Sequence, residues 1–202
     1  MNSKRSRLGF QPNNQKETNM KNIIISIKAF IIFSVLLGLV YPLAITGIAQ
    51  ATMKDKANGS LIKIDEKVVG SSLIGQKFDK PEYFNSRPSA VDYNASGSGA
   101  SNLGPSSKKL IARVKETISK ENLGNKDIPA DMVLTSASGL DPHISLENAE
   151  FQIQRISKIR NISEPKLQEI INKNTDPDFI GIWGQKGVNV LKLNVALDKE
   201  GK

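Results

Sequence analysis

Between Lys28 and Lys54 the chain carries no charged side chain, and from Ala29 to Ala49 it is almost wholly apolar, reading AFIIFSVLLGLVYPLAITGIA. A helix rising about 1.5 Å per residue over such a run reaches roughly 30 Å, the thickness of a bilayer's hydrocarbon core. Residues 23–51 are therefore predicted to form a membrane-spanning helix. A buried helix of a soluble protein would need a large apolar surround, which no other part of the chain can supply. A cleaved signal peptide is the sharper rival, because Ala49-Gln50-Ala51 has the small-x-small form of a cleavage site and basic residues precede the run. Secretory apolar regions run only about 7–15 residues, so an uncleaved anchor fits better. With no Cys in the chain, a lipid-modified cysteine cannot anchor it, and disulfides and thiolate metal sites are excluded.

Charge sets the expected orientation. Lys4, Arg5, Arg7, Lys16, Lys21 and Lys28 precede the span with only Glu17 against them, whereas Lys54 and Lys56 beyond it are followed by Asp65 and Glu66. Positive flanks stay in the cytoplasm. Residues 1–22 are thus expected to be a polar, basic, disordered cytoplasmic leader, with Met20 a plausible alternative start. Residues 52–202 are expected to form one extracytoplasmic domain. The net charge of +8 owes much to the leader, where topology explains it, and does not point to nucleic acid.

Inside the span, Pro42 removes a helical hydrogen bond and should bend the helix. Gly38, Ala44 and Gly47 leave room for a second helix to approach. Residues alone leave open whether Gly38, Tyr41, Pro42 and Gly47 face a partner helix or lipid.

Beyond the span the pattern is mixed. Short β-branched runs either side of Asp65-Glu66 predict a hairpin. An irregular loop, rich in Gly and Ser, follows up to Ser106, and loops of that length are usually functional or disordered. Apolar residues at helical spacing predict helices carrying Leu110, Ile111, Val114 and Ile118 and ending at Gly124, then Leu146 to Arg160 capped by Ser145, then Leu167 to Ile171 opened by Ser163-Glu164-Pro165. Phe179 to Trp183 is a further apolar run. The alternation of Leu191, Leu193, Val195 and Leu197 with Lys192, Asn194 and Ala196 predicts a closing strand with one buried face. The expected class is α+β, one membrane helix followed by a single sheet-and-helix domain.

Few residues suggest chemistry. Gly in the loop around Ser98, Gly99, Ser101, Asn102 and Gly104 allows the backbone conformations of an anion-binding nest, but the Gly-Lys-Ser/Thr ending of a phosphate loop is missing. The alternative is a solvated loop feeding the next helix. His143 is the single histidine and lies in GLDPHIS; one His beside Asp141 lacks the ligand set of a zinc site, and Asp141-Pro142 suits a turn before a helix. Tyr83, Phe84, Tyr93 and Trp183 lack the basic interleaving of a nucleic-acid stacking face and are expected to pack in the core or an interface. Besides an accessory anchored domain, two other readings are a membrane-anchored solute- or anion-binding protein using that loop, and a secreted enzyme whose mature chain begins at Thr52.

Several blocks together carry a resemblance: Tyr41-Pro42, ANGSL at 57–61, VGS at 69–71 with LIGQ at 73–76, Tyr83-Phe84 with RPSA at 87–90, SNLGPS at 101–106, SGLDPHIS at 138–145, and VNVL at 188–191 with Leu193-Asn194. In this order, from about Met20 to Asp198, the chain resembles the KdpC family, the small subunits of bacterial high-affinity potassium-transporting P-type ATPases. Leu134 and Ala137 depart from the Thr and Gly of that pattern, and Gly187 stands where Arg is usual. The resemblance implies a non-catalytic subunit in a complex with a channel-like potassium-translocating subunit, an ATP-hydrolysing P-type subunit and a very small membrane subunit. It also implies a catalytic-chaperone role, raising the ATP affinity of the hydrolysing subunit, with ATP as the implied ligand. Among matching positions Arg87, Asp141 and His143 become candidates for partner contact. The charge bias puts the loop and His143 across the membrane from cytoplasmic ATP.

Overall fold

The structure is a computed structural model that describes residues 13–121, 123–124, 127–177 and 184–200. The chain divides into two units, residues 1–57 and 58–202.

The first unit is a helix built as predicted around the apolar run, with a break in its middle. Helix α1 (Asn13–Val35) passes into a π-helical turn (Leu36–Val40), then into α2 (Tyr41–Thr52) and a short α3 (Lys54–Ala57). The wide turn sits where Pro42 demands it. Pro42 has no N–H and its ring crowds the carbonyl one turn back, so the ladder reorganises just before it. The Tyr41 N–H reaches Leu36 O, five residues earlier. The segment Asn19–Thr52 is long and apolar enough to cross a membrane, and none of its most apolar window is buried by the rest of the protein. Three of its hydroxyls bond to the turn before: Ser26 donates to Asn22 O, Thr46 to Pro42 O and Thr52 to Ile48 O, each at 2.8 Å. The expected disorder of the leader is corrected from Asn13 onward. Once the apolar residues have met the cost of nucleation, adding polar residues upstream costs little. Residues 1–12 lie outside the described residues.

In the second unit, β1 (Leu61–Ile64) and β2 (Lys67–Ser71) form the predicted antiparallel hairpin. Asp65 and Glu66 both take positive φ, 47° and 63°, the geometry of a tight hairpin turn that follows strand twist. A register shift between Ile62 and Lys63 accommodates one extra residue in β2. The three helices read from spacing are present as α4 (Lys108–Lys120), α6 (Leu146–Arg160) and α7 (Glu164–Lys173), joined by a one-turn α5 (Ala130–Val133). Ser145 caps α6, its Oγ accepting from the Asn148 N–H at 3.0 Å.

A second sheet runs β3 (His143–Ile144), β5 (Gly187–Asn189), β4 (Thr175–Asp176), all antiparallel with β5 central. The predicted closing strand is corrected here. Only Gly187–Asn189 is strand, and Val190–Glu200 forms helix α8. Val190, Leu193, Asn194 and Leu197 are all at most 2% exposed, and their spacing is that of one helix face. The run Phe179 to Trp183 lies outside the described residues.

The core gathers Ala149, Ile153 and Ile156 of α6, Leu167, Ile170 and Ile171 of α7, Val190, Leu193 and Leu197 of α8, and Phe84, Ile144 and Val188. Phe84 belongs to no strand, yet its segment is held as firmly as one. The Asn194 amide accepts from Phe84 N–H at 2.9 Å and donates to Phe84 O at 3.0 Å. Gln152 Oε1 accepts from Asn85 N–H at 2.7 Å, Arg155 donates to Pro81 O and Tyr83 O, and Arg160 Nε donates to Glu82 O. Side chains of α6 and α8 thus stand in for a neighbouring strand, which satisfies a backbone that the core would otherwise desolvate.

Candidate functional site

The sequence candidates Arg87, Asp141 and His143 come together, and two residues that sequence reading passed over join them. Arg87 Nη1 donates to Asp141 Oδ2 at 3.0 Å. Asp141 Oδ1 accepts the His143 backbone N–H at 3.0 Å, so Asp141-Pro142 forms the expected turn. His143 Nε2 lies 3.0 Å from Asp176 Oδ2, and Lys192 Nζ lies 3.6 Å from Asp176 Oδ1. The result is a line of contacts from the Arg87 guanidinium through the Asp141 carboxylate, the His143 ring and the Asp176 carboxylate to the Lys192 ammonium. His143 and Asp176 sit on the outer strands of the three-stranded sheet, and their side chains meet over Gly187 on the central one. A Cβ at Gly187 would stand 3.3 Å from His143 Cβ, so the bare position gives the ring its path.

Backbone contacts fix this line in place. Gly75 N–H donates to Leu140 O at 2.8 Å, Val190 N–H to Pro142 O at 3.0 Å, and Ser89 Oγ to Gly139 O at 2.6 Å. Gly139 has φ +67°, and a Cβ there would lie 2.8 Å from Gly99 O. Asp131 holds the start of α6 through Ser145 N and Oγ. Between these parts opens a cleft of about 450 Å³, lined by Arg87, Asp131, Asp141, His143, Glu147 and Lys186 among others. Its charges are mixed, and no group of three or more His, Cys, Asp or Glu among the described residues is arranged to hold a metal. The ion pairs are partly solvated and each contributes at most about 1 kcal/mol. The arrangement therefore braces the sheet to the loop and leaves a cleft lined by charged side chains.

Tyr93 ties the loop to the same brace, its hydroxyl donating to Arg87 O at 2.7 Å. Burial, aided by Asp79, Asp92 and Glu121, pushes this phenol up to about 12 from its ordinary 10.0. Since the folded state disfavours the phenolate, the stability it contributes is complete below pH 10 and is lost as pH rises from there to about 12. Denaturant midpoints measured across this range should fall for the native protein. Tyr93→Phe should flatten the fall while costing about 1 kcal/mol at neutral pH.

The Gly-rich loop does not line the charged cleft, and several of its donors bond within the domain. Gly97 N–H goes to Asn94 O, Gly99 N–H to Ser138 O, Ser96 N–H to Asn94 Oδ1, and Ser98 Oγ to Ser138 O. Ser101 Oγ accepts from Thr135 Oγ1 at 3.4 Å, and Asn102 takes φ +52°. Gly104 O accepts from Ser107 N–H where α4 begins. Of the candidates Ser98, Gly99, Ser101, Asn102 and Gly104, the Ser98 hydroxyl and the Gly99 N–H are thus spent within the domain, and none of the five is a cationic residue.

The span candidates form a separate group. Gly38 lies in the π turn and Gly47 in α2, and a methyl placed on either would meet nothing within 4 Å, while Tyr41 is exposed beside Pro42. Asp176 and Lys192 went unrecognised because no local pattern ties them to His143 across 33 and 49 positions.

Comparison with known proteins accounts for span and domain together. A protein-family model described as KdpC, K+-transporting ATPase, c chain, matches residues 23–199. A protein of Koribacter versatilis called Potassium-transporting ATPase KdpC subunit is 49% identical over 182 residues, covering 88% of this chain and 94% of its own. One of the same name from Caulobacter vibrioides is 53% identical over 173 residues, covering 83% and 87%. A third, from Caldanaerobacter subterraneus, is 47% identical over 182 residues, covering 88% and 94%. With its apolar helix, its sheet-and-helix domain and this match over nearly all of both, the chain belongs to the KdpC family of potassium-transporting ATPase subunits.

Proposed function

We propose that the chain is a non-catalytic accessory subunit of an ATP-driven potassium uptake complex. It would assemble with a channel-like translocating subunit, an ATP-hydrolysing P-type subunit and a very small membrane subunit. The observation that carries this reading is that one family model covers both the unburied apolar helix and the domain, so that anchor and domain form one functional piece. The N-terminus lies in the cytoplasm and the domain outside, as the basic flank before the span requires. The bent span docks on the translocating subunit through Gly38, Tyr41, Pro42 and Gly47. The domain braces that subunit's outer mouth through the cleft of Arg87, Asp141 and His143. Any rise in the hydrolysing subunit's ATP affinity is then transmitted through the membrane parts, without contact between nucleotide and this domain.

Two experiments test the reading. Deleting residues after Ala51 while keeping the span should weaken complex assembly or lower potassium affinity by tenfold or more; unchanged uptake and assembly would overturn the bracing role. The absence of native Cys allows single-cysteine labelling with an impermeant thiol reagent in intact cells. Ser98→Cys should label before lysis and Ser3→Cys only after it, whereas the reverse would place the domain in the cytoplasm.

A further inference from the structure

We propose that α4 docks on lipid, its exposed face resting on anionic headgroups of the bilayer in which the same chain is anchored. The helix carries Lys108, Lys109, Lys115 and Lys120 on its exposed side against the single acid Glu116, while Arg113 is half-buried and donates to Thr135 Oγ1. Leu110, Val114, Thr117 and Ile118 are half-buried, and no side chain of α4 is fully buried. Ile111 is 47% exposed, with Lys108 and Lys115 three and four residues away on either side. An exposed apolar side chain between lysines suits the headgroup layer, where ammonium groups meet phosphate and the aliphatic stems cover the apolar contact.

The placement of charge does not serve the helix itself. Its first turn holds Lys108 and Lys109 and no acid, against the positive end of the helix dipole. A layer of anionic headgroups offsets that repulsion. The tether is also short, since only residues 53–60 separate the end of α2 from β1. At no more than about 3.6 Å each, they extend under about 30 Å. A domain of this size is itself roughly 40 Å across. The hairpin also exposes Leu61 and Val68, but Asp65 and Glu66 at its tip would be repelled by the same headgroups. The inference rests on the span being in the bilayer and not on which subunits the domain meets.

The test uses the full chain reconstituted in vesicles, with a fluorophore on Ser119→Cys to report α4 or on Ser34→Cys to report the span. One vesicle set is phosphatidylcholine alone and the other includes phosphatidylglycerol, each doped with lipid carrying a nitroxide on either the headgroup or the acyl chain. The span label should be quenched by the acyl-chain nitroxide in both sets. The α4 label should be quenched by the headgroup nitroxide only with phosphatidylglycerol. That quenching should fade as salt shortens the screening length to about 10 Å and below. In the Ser119→Cys background, Lys108→Gln with Lys115→Gln should lower the docking constant on the order of tenfold, with unchanged circular dichroism. Equal or absent quenching of the α4 label in the two lipids, with the span label still inserted, overturns the proposal. So does shielding of that label by assembly with other subunits and not by anionic lipid, which would give the face to a protein partner. An unquenched span label would instead overturn the anchorage on which the proposal rests.

Discussion

Asn194→Leu should destabilise the domain by roughly 2–6 kcal/mol, a large share of the roughly 5–15 kcal/mol that holds a typical domain folded. The size of the loss follows from what the amide does. Asn194 is 2% exposed, and its side chain closes both hydrogen bonds of the Phe84 backbone. Phe84 is fully buried, so neither group can turn to water. Leu matches the volume and leaves one buried donor and one buried acceptor unpaired, each costing about 1–3 kcal/mol. Denaturant titration of the full chain, followed by circular dichroism, measures the loss. A loss below about 1 kcal/mol would mean that another group or a water takes over the amide's role. Neighbouring Val195 makes the contrast, since Val195→Ala on the half-buried side of α8 should cost less.

Gly75→Ala should be the next most damaging change, and its effect should reach the charged cleft. A methyl at Gly75 would stand 2.5 Å from Asp141 O and 3.0 Å from Asp141 C, against backbone that cannot swing aside. Overpacking of this kind costs about 1–3 kcal/mol or more. The strain falls on Asp141, which holds Arg87 by its carboxylate and His143 by its turn. The variant should therefore lose stability and, in the assembled complex, potassium affinity as well. Gly97→Ala and Gly104→Ala are the controls. Nothing lies within 4 Å of a methyl at either, and both should stay within about 0.5 kcal/mol of the native protein. Equal behaviour of all three variants would show that the close approach at Gly75 is not what positions Asp141.

What could be read in advance followed how local each feature is. The hairpin was legible from β-branched runs around Asp65-Glu66, and α6 from its Ser145 cap and apolar spacing. The break in the span was legible from Pro42 alone. The closing segment misled because Leu191, Leu193 and Leu197 fit alternation, while Val190, Leu193, Asn194 and Leu197 fit a helix face equally well. A cue was present: Asn189 accepts from Lys192 N–H through its side chain, as an N-cap does, so Val-Asn-Val reads as strand followed by cap and helix. The brace of Arg87, Asp141, His143, Asp176 and Lys192 was only half visible. Its first three members stand in recognisable motifs, but the last two depend on the order β3-β5-β4, which pairing across distant segments decides. The helix-borne amides that hold Phe84 left no pattern at all, because a buried Asn or Gln looks like a surface one until its partner is known.

The π turn at Leu36–Val40 has a bearing on how the span keeps its heading. A π turn takes in about one residue more than an α turn, and each residue of a helix advances the next by about 100°. No single helical wheel can be drawn through both α1 and α2, and a stripe traced from Phe30 does not continue past Tyr41. Removing any one residue from 36–40 would shorten the rod by only about 1.5 Å. It would also let the ladder close as plain α-helix, and because the turn takes up its extra residue within one circuit, the side chains of α2 would keep about their present directions. The segment works as an expansion joint, a place where one residue more or less is taken up without turning the face that Pro42, Thr46 and Gly47 present.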